Sequence, residues 1–311
     1  MDDSTPALNR RSFLKMLGAA SLGGSWLRAA FAADPRAALS RPIPSSGEQL
    51  PVIGMGTSRT FDAGDNAAKR AQLLEVLQAF FAGGGTLIDS SPMYKSAEEV
   101  TGALLAEIKP KPKLFSATKV WIDGKQAGIE QMERSRKFWG VERFDLIQIH
   151  NLRDWQVHLE TLKAWKAEGK VRYIGITTSH GRAHDELEQA LRQERFDFAQ
   201  FTYNLEEREV ERRLLPLAAD RGVATLINRP FGRGDLFAKV RGKPLPDWAK
   251  DIDCATWAQF FLKFVVSHPA VTCAIPATSK AQHMIDNMGA GFGRLPDAKL
   301  RSRMIDYLRT I

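Results

Sequence analysis

Apolar and polar positions along this chain change period repeatedly. Leu73, Leu77 and Phe80 recur at i, i+4 and i+7, Val210, Leu214 and Leu217 repeat that spacing, and Ala255, Ala258, Leu262 and Val265 carry a similar stripe further on. Such stripes belong to helices with one buried face. Between them stand short, nearly unbroken apolar runs at 51–55, 86–90, 114–120, 145–150, 171–177, 196–202, 223–228 and 271–276. Runs of that length bounded by turn residues are strands buried on both faces, as in a parallel sheet. Eight strands alternating with helices predict an α/β fold, a parallel eight-stranded (β/α)8 barrel with right-handed crossovers.

Local punctuation refines this outline. Gly83, Gly84 and Gly85 stop a helix, Thr86-Leu87-Ile88 forms a strand, and Asp89 closes it, with Tyr94 five residues later in the loop. Ser96-Ala97-Glu98-Glu99 reads as a capping box that starts the next helix. The segment 229–253, rich in Gly, Pro and basic residues, is expected to be one long irregular insert, and loops of that length are usually functional.

The first 33 residues have a different character. Asn9-Arg10-Arg11-Ser12-Phe13-Leu14-Lys15 is a twin-arginine start, residues 16–27 are weakly apolar, and Ala30-Phe31-Ala32 suits a processing site. An uncleaved membrane anchor fits less well, because the apolar core falls short of the roughly 20 residues a span requires. The expectation is a cleaved signal over 1–33, a barrel over 34–311, passage through the twin-arginine translocation machinery and a periplasmic location.

The remaining chain has about the length of one such barrel. The formal charge is +8, but the basic residues are scattered, without a stripe or aromatic platform for nucleic acid. Cys254 and Cys273 are the only cysteines and form no CxxC, so neither a disulfide framework nor a cysteine metal site is expected. His180 and His184 lack an accompanying carboxylate set and read as surface residues; no metal is expected.

Four polar residues fall at the carboxyl ends of successive strands: Asp89 and Tyr94 after the second, Lys119 at the third, His150 at the fourth. That is the end where barrels place their chemistry. A phenol titrates near ~10 and exchanges protons poorly at neutral pH, whereas a nearby ammonium lowers that value. Lys119 is the ammonium, Asp89 its counter-ion, and a neutral His150 can orient a carbonyl beside Tyr94. The set suits proton delivery to a carbonyl oxygen while hydride reaches the carbon, which implies a nicotinamide.

These residues sit in ordered motifs: Asp89-x4-Tyr94-x3-Glu98-x3-Gly102, Ala117-Thr118-Lys119, 144–150 ending in His150, 168–176, and Ile275-Pro276-Ala277-Thr278-Ser279-Lys280. Together with an opening segment at 45–57 that is similar to a hairpin and first strand, the chain resembles the aldo-keto reductase family over about residues 43 to 290. The resemblance implies the same barrel, Tyr94 as general acid tuned by Lys119 and Asp89, and His150 orienting the substrate. It implies Gln200 at the nicotinamide carboxamide and Asn287 at adenine. Thr177 and Thr178 stand where the family has Ser-Asn, and Asn228 where it commonly has an aromatic ring against the nicotinamide. The loop Arg229-Pro230-Phe231-Gly232-Arg233 is placed at the pyrophosphate, and Thr278, Ser279 and Lys280 at the last strand's end offer hydroxyls and a cation. His283 stands about where the family has an arginine. NADPH is the expected cofactor, with NADH possible, and Trp121 is expected to wall the pocket for a small carbonyl substrate, core packing being the rival role. Trp155 and Trp248 are weaker candidates for that role, and Met284 and Met288 read as helix core.

The expected protein is a monomeric carbonyl reductase. A barrel that binds a nicotinamide nucleotide as a sensor or accessory subunit with little turnover is the alternative. A metal-dependent hydrolase is disfavoured, because no His-x-His follows the first strand. Replacing Arg10 and Arg11 together by Lys is expected to leave the protein in the cytoplasm, read by cell fractionation; continued periplasmic accumulation would overturn the export expectation.

Overall fold

The computed structural model describes residues 38–311, so the leader expected over 1–33 lies outside the described residues. The chain enters through an antiparallel hairpin, β1 (Ser40–Pro42) and β2 (Gln49–Pro51), with Arg41 opposite Leu50. Eight parallel strands follow in chain order: β3 (Met55–Gly56), β4 (Leu87–Asp89), β5 (Phe115–Val120), β6 (Phe144–Ile149), β7 (Val171–Thr177), β8 (Phe198–Thr202), β9 (Ala224–Asn228) and β10 (Cys273–Ala274). The sheet returns on itself where Gly54 N–H donates to Ala274 O at 2.8 Å and Ala274 N–H to Val52 O at 2.9 Å. This is the (β/α)8 barrel the alternation predicts.

The helices are α1 (Ala67–Ala82), α2 (Ala97–Glu107), α3 (Lys125–Trp139), α4 (Trp155–Ala167), α5 (His184–Gln193), α6 (Leu214–Asp220), α7 (Asp235–Lys239), α8 (Trp257–Val266), α9 (Ala281–Gly289) and α10 (Ala298–Thr310). In α1 the predicted stripe of Leu73, Leu77 and Phe80 is buried, and Asn66 caps the start by accepting from Lys69 N–H. The glycine run does more than stop this helix. A Cβ on Gly85 would lie 2.2 Å from the Phe80 ring, so only glycine lets the chain double back into β4 against the helix's last turn.

Three local expectations fail for identifiable reasons. Ser96 caps nothing in α2: its hydroxyl accepts from Gly64 N–H at 2.9 Å and donates to Asp62 at 2.8 Å, bracing the preceding loop instead. Val210 lies on a separate 3-10 turn at Glu209–Arg212, and Ala255 precedes α8, whose cap is Thr256, so both stripes cross element boundaries. The insert 229–253 is not irregular, for it contains α7 and a 3-10 turn at Asp247–Ile252. Its far end is pinned by the buried Lys263 of α8, whose ammonium donates to Ile252 O, Phe292 O and Arg294 O at 2.7, 2.7 and 2.9 Å.

Two layers of core result. One lies between sheet and helices, and the other fills the barrel's amino end. There Phe115, Tyr173 and Phe198 pack with ring centroids 5.6 to 6.0 Å apart, and Ile43 and Leu50 of the hairpin close the opening. Cys254 and Cys273 are buried free thiols. Gly102 marks the tightest helix contact, since a Cβ there would stand 1.8 Å from the Phe138 carbonyl oxygen. Backbone cannot yield as a side chain can, so Gly102→Ala is expected to lower stability by about 3 kcal/mol, read as a fall in the denaturation midpoint; an unchanged midpoint would show that α2 and α3 separate freely.

Candidate active site

The barrel's carboxyl end is polar because the inward phase of each strand changes character along its length. On β4, β5, β6 and β8 the inward residues run from Leu87, Phe115, Leu146 and Phe198 at the apolar end to Asp89, Lys119, Gln148 and Gln200 at the mouth. Period-two alternation sends all of these into the lumen.

Lys119 is fully buried. An ammonium has three protons to donate. One goes to Asp89 Oδ2 at 2.5 Å and one to Ser90 O at 2.7 Å, while the group lies 5.3 Å from the centre of the Tyr94 ring. Burial works against its charge, but Asp89, then Tyr94, hold its pKa above the ordinary value. The other oxygen of Asp89 accepts from Gln148 Nε2 at 2.8 Å and Gln200 Nε2 at 3.1 Å.

Tyr94 follows an altered rule. Burial raises its pKa, Lys119 lowers it, Asp89 raises it, and the net direction is up. The expectation that Lys119 brings the phenol below its ordinary range is therefore corrected: Asp89 neutralises much of the ammonium's field, and desolvation wins. Tyr94 is a protonated donor at neutral pH. His150 meets its ring edge-to-face, with centroids 5.8 Å apart. Burial first and Lys119 second hold His150 well below the usual histidine range, so the imidazole is neutral. Trp121 is half-buried beside it, 6.3 Å between ring centres, with the Arg153 guanidinium 4.9 Å above the indole.

The residues expected at the nicotinamide end also come together, but they are wired to one another. Gln200 Nε2 donates to Gln148 Oε1 at 3.0 Å as well as to Asp89, Asn228 Nδ2 donates to Thr178 O at 3.0 Å, and Thr177 Oγ1 accepts from Asn151 N–H at 3.0 Å. Asn228 Oδ1 accepts from Thr202 at 2.6 Å. Beyond them, the loop after β9 bends through left-handed backbone at Arg229 and Arg233, with φ of 52° and 61°. Left-handed backbone costs about 1 kcal/mol or more in a residue with a side chain and tends to mark functional loops. Both guanidinium groups donate to His180 Nε2, Arg233 at 2.6 Å. Burial and the neighbouring Arg233 bring Arg229 down to about 10; Arg59 and Arg182 add to the same positive field, and Glu207 opposes it. Burial and these arginines bring His180 down to about 4. His180 is exposed, as expected, and sits among these arginines, whereas His184, expected at the surface, is buried. Pro230 is buried, Phe231 packs on Phe237 at 4.8 Å, and Gly232 is left-handed at φ 55°.

Thr278, Ser279 and Lys280 lead into α9, with Lys280 N–H donating to Thr278 Oγ1 at 3.1 Å. Lys280 and His283 are exposed, whereas Asn287 is buried. Among the described residues no three His, Cys, Asp or Glu side chains are grouped to hold a metal ion.

Several site residues were not singled out from sequence. Glu98, quoted in the motif with no role assigned, is buried and accepts from Thr118, from Ser135 at 2.7 Å and from Trp139 Nε1 at 3.3 Å; burial raises its pKa. Ser91 lies 2.9 Å from His150 Nδ1, and Gln148 braces Asp89. Gln148 was legible in principle, being a polar residue in the inward phase of an apolar strand.

A buried ammonium shared by a carboxylate and a phenol, with a neutral imidazole beside them at the mouth of a (β/α)8 barrel, defines an oxidoreductase of the barrel class. The chain matches the model of the Aldo/keto reductase family over residues 52–303. It is 28% identical over 265 residues to the methylglyoxal reductase YeaE of Escherichia coli (strain K12), covering 83% of this chain and 92% of that protein. It is 28% identical over 213 residues to the aldo-keto reductase YhdN of Bacillus subtilis (strain 168), covering 64% and 63% respectively. Among solved structures it superposes on an aldo-keto reductase from Klebsiella pneumoniae in complex with NADPH, with a TM-score of 0.69, 27% identity and coverage of 84% of this chain and 92% of that one. The chain belongs to the aldo/keto reductase family.

The depressed titration of His150 has a consequence for stability. As pH falls, the unfolded chain takes up this proton before the folded one does. The stability associated with neutral His150 is complete above about pH 6.5 and is lost below it. The denaturant midpoint is expected to fall on acidification below that value and to fall less steeply in His150→Asn; identical slopes would mean that His150 protonates without cost.

Proposed function

We propose that this protein reduces a small aldehyde or ketone with NADPH, Tyr94 delivering the proton to the carbonyl oxygen. The observation that carries the proposal is the Lys119 ammonium, which spends two protons on Asp89 and Ser90 O and lies against the ring of a protonated Tyr94. When bound, the dihydronicotinamide supplies a hydride to the carbonyl carbon. As the oxygen gains charge, Tyr94 gives up its proton, and the Lys119 ammonium stabilises the phenolate left behind. His150, neutral, hydrogen-bonds the same oxygen. Trp121 forms the wall next to it.

The residues present fit the cofactor. The carbonyl of Gln200 accepts only a long contact of 3.4 Å from Asn228, which leaves it open to a carboxamide N–H. Thr177, Thr178 and Asn228 border the same place. Arg229 and Arg233, backed by Arg182 and Arg59, offer a concentrated positive field for the pyrophosphate, on a loop where Pro230, Phe231 and Gly232 shape the backbone. Thr278, Ser279, Lys280, His283 and Asn287 are assigned to the adenosine end, with Lys280 as the cation for a 2′-phosphate. The Klebsiella structure in complex with NADPH and the E. coli relative named as a methylglyoxal reductase support the cofactor and the substrate class. The leader with Arg10 and Arg11 supports action outside the cytoplasm after folded export.

A nucleotide-binding barrel with little turnover is the second reading, favoured by Asn228 in place of an aromatic ring and by the internal engagement of Gln200. A titration with NADPH and NADH followed by a carbonyl panel separates the two. Turnover of at least one carbonyl is expected, and Tyr94→Phe is expected to lose at least ~100-fold in rate with NADPH affinity retained. Undiminished turnover in that variant removes Tyr94 from the mechanism; Lys119→Met is expected to lose activity with it.

A further inference from the structure

Ser91 is fully buried, one residue past the Ser90 carbonyl that holds Lys119. Its hydroxyl has two neighbours: Met93 N–H donates to Oγ at 3.2 Å, and His150 Nδ1 lies 2.9 Å away. A serine hydroxyl has a single proton to give. If Nδ1 carried the imidazole proton, it would donate to Oγ, and the serine's own proton would have no acceptor among the described residues. An unpaired buried donor is costly. Every group is satisfied when Ser91 donates to Nδ1 and the imidazole proton resides on Nε2. His150 Nε2 has no hydrogen-bond partner among the described residues and is not sealed from solvent.

We infer that Ser91 is a positioning residue that sets His150 as the Nε2–H tautomer, so that the imidazole presents a donor, not a lone pair, to the substrate oxygen. This rests on the reductase reading given above. The opposite tautomer would set a lone pair against the carbonyl oxygen and compete with it for the Tyr94 proton. With Nε2–H in place, the oxygen accepts from Tyr94 and His150 together, which selects carbonyls with both lone pairs accessible. The backbone contact from Met93 alone would make Ser91 a loop brace; the contact to Nδ1 is what links it to the chemistry.

The test is nitrogen NMR of the folded protein with labelled imidazoles. The chain has 6 histidines, and His150 is assigned by its loss in His150→Asn. At neutral pH the unmutated protein is expected to show the proton on Nε2 and a hydrogen-bonded, bare Nδ1. Ser91→Ala is expected to show mixed tautomers and about a 10-fold fall in kcat, with KM and NADPH affinity little changed. Ser91→Thr, which keeps the hydroxyl, is expected to restore the single tautomer. A proton on Nδ1 in the unmutated protein overturns the proposal, as does Ser91→Ala with the tautomer and kcat unaltered. Should Ser91→Ala fail to fold, the unmutated spectrum still decides. A protein that shows Nε2–H and binds NADPH but reduces no carbonyl supports the tautomer and sinks the reductase reading instead.

Discussion

The contact on which the site depends is the one between Lys119 and Asp89, an ion pair with no access to water. Removing two such charges from solvent is expensive, and their attraction offsets the cost only if every remaining donor and acceptor is also satisfied. The barrel meets most of that condition from four strands. Asp89 receives Lys119 on one oxygen and the amides of Gln148 and Gln200 on the other, while Ser90 O takes a further proton of the ammonium. Such a pair contributes little to stability by itself. Its effect is to hold a positive charge at one point, against the ring of Tyr94.

The protonation states at the mouth follow from that arrangement. A bare ammonium would pull the phenol toward its anion, but Asp89 cancels much of the field, so burial dominates and Tyr94 keeps its proton. The same ammonium, acting with burial, keeps His150 neutral. The protonated phenol and the neutral imidazole thus have a common origin. Gln200 extends the network to Asn228, so the end of β9 shares hydrogen bonds with the Lys119–Asp89 pair.

The two ends of the barrel solve opposite problems. At the amino end Phe115, Tyr173 and Phe198 fill the lumen, and a hairpin seals it, which makes the sheet stiff. At the carboxyl end the lumen carries charges and amides, and the loops after β3, β7 and β9 bring Arg59, Arg182, Arg229 and Arg233 together. Like charges gathered together, three of them (Arg59, Arg229 and Arg233) on left-handed backbone, cost folding energy. An anion placed among them would relieve that repulsion.

Much of this was legible in one dimension. Eight short apolar runs alternating with helical stripes specify a barrel, because each strand is buried on both faces and each helix on one. Asp89, Tyr94, Lys119 and His150 could be picked out because a polar residue at the end of such a run has one destination, the carboxyl mouth. Ser91, Gln148 and Glu98 escaped because their roles depend on partners 59, 59 and 20 residues away. The misread capping box has the same cause: a local motif describes only local partners, and Ser96 found better ones in Asp62 and Gly64. Sequence determined which groups stand at the mouth, since strand phase and length are local properties. Tertiary structure alone decided their protonation and which of them touch, since both depend on the stagger of the closed sheet and on how much water it excludes.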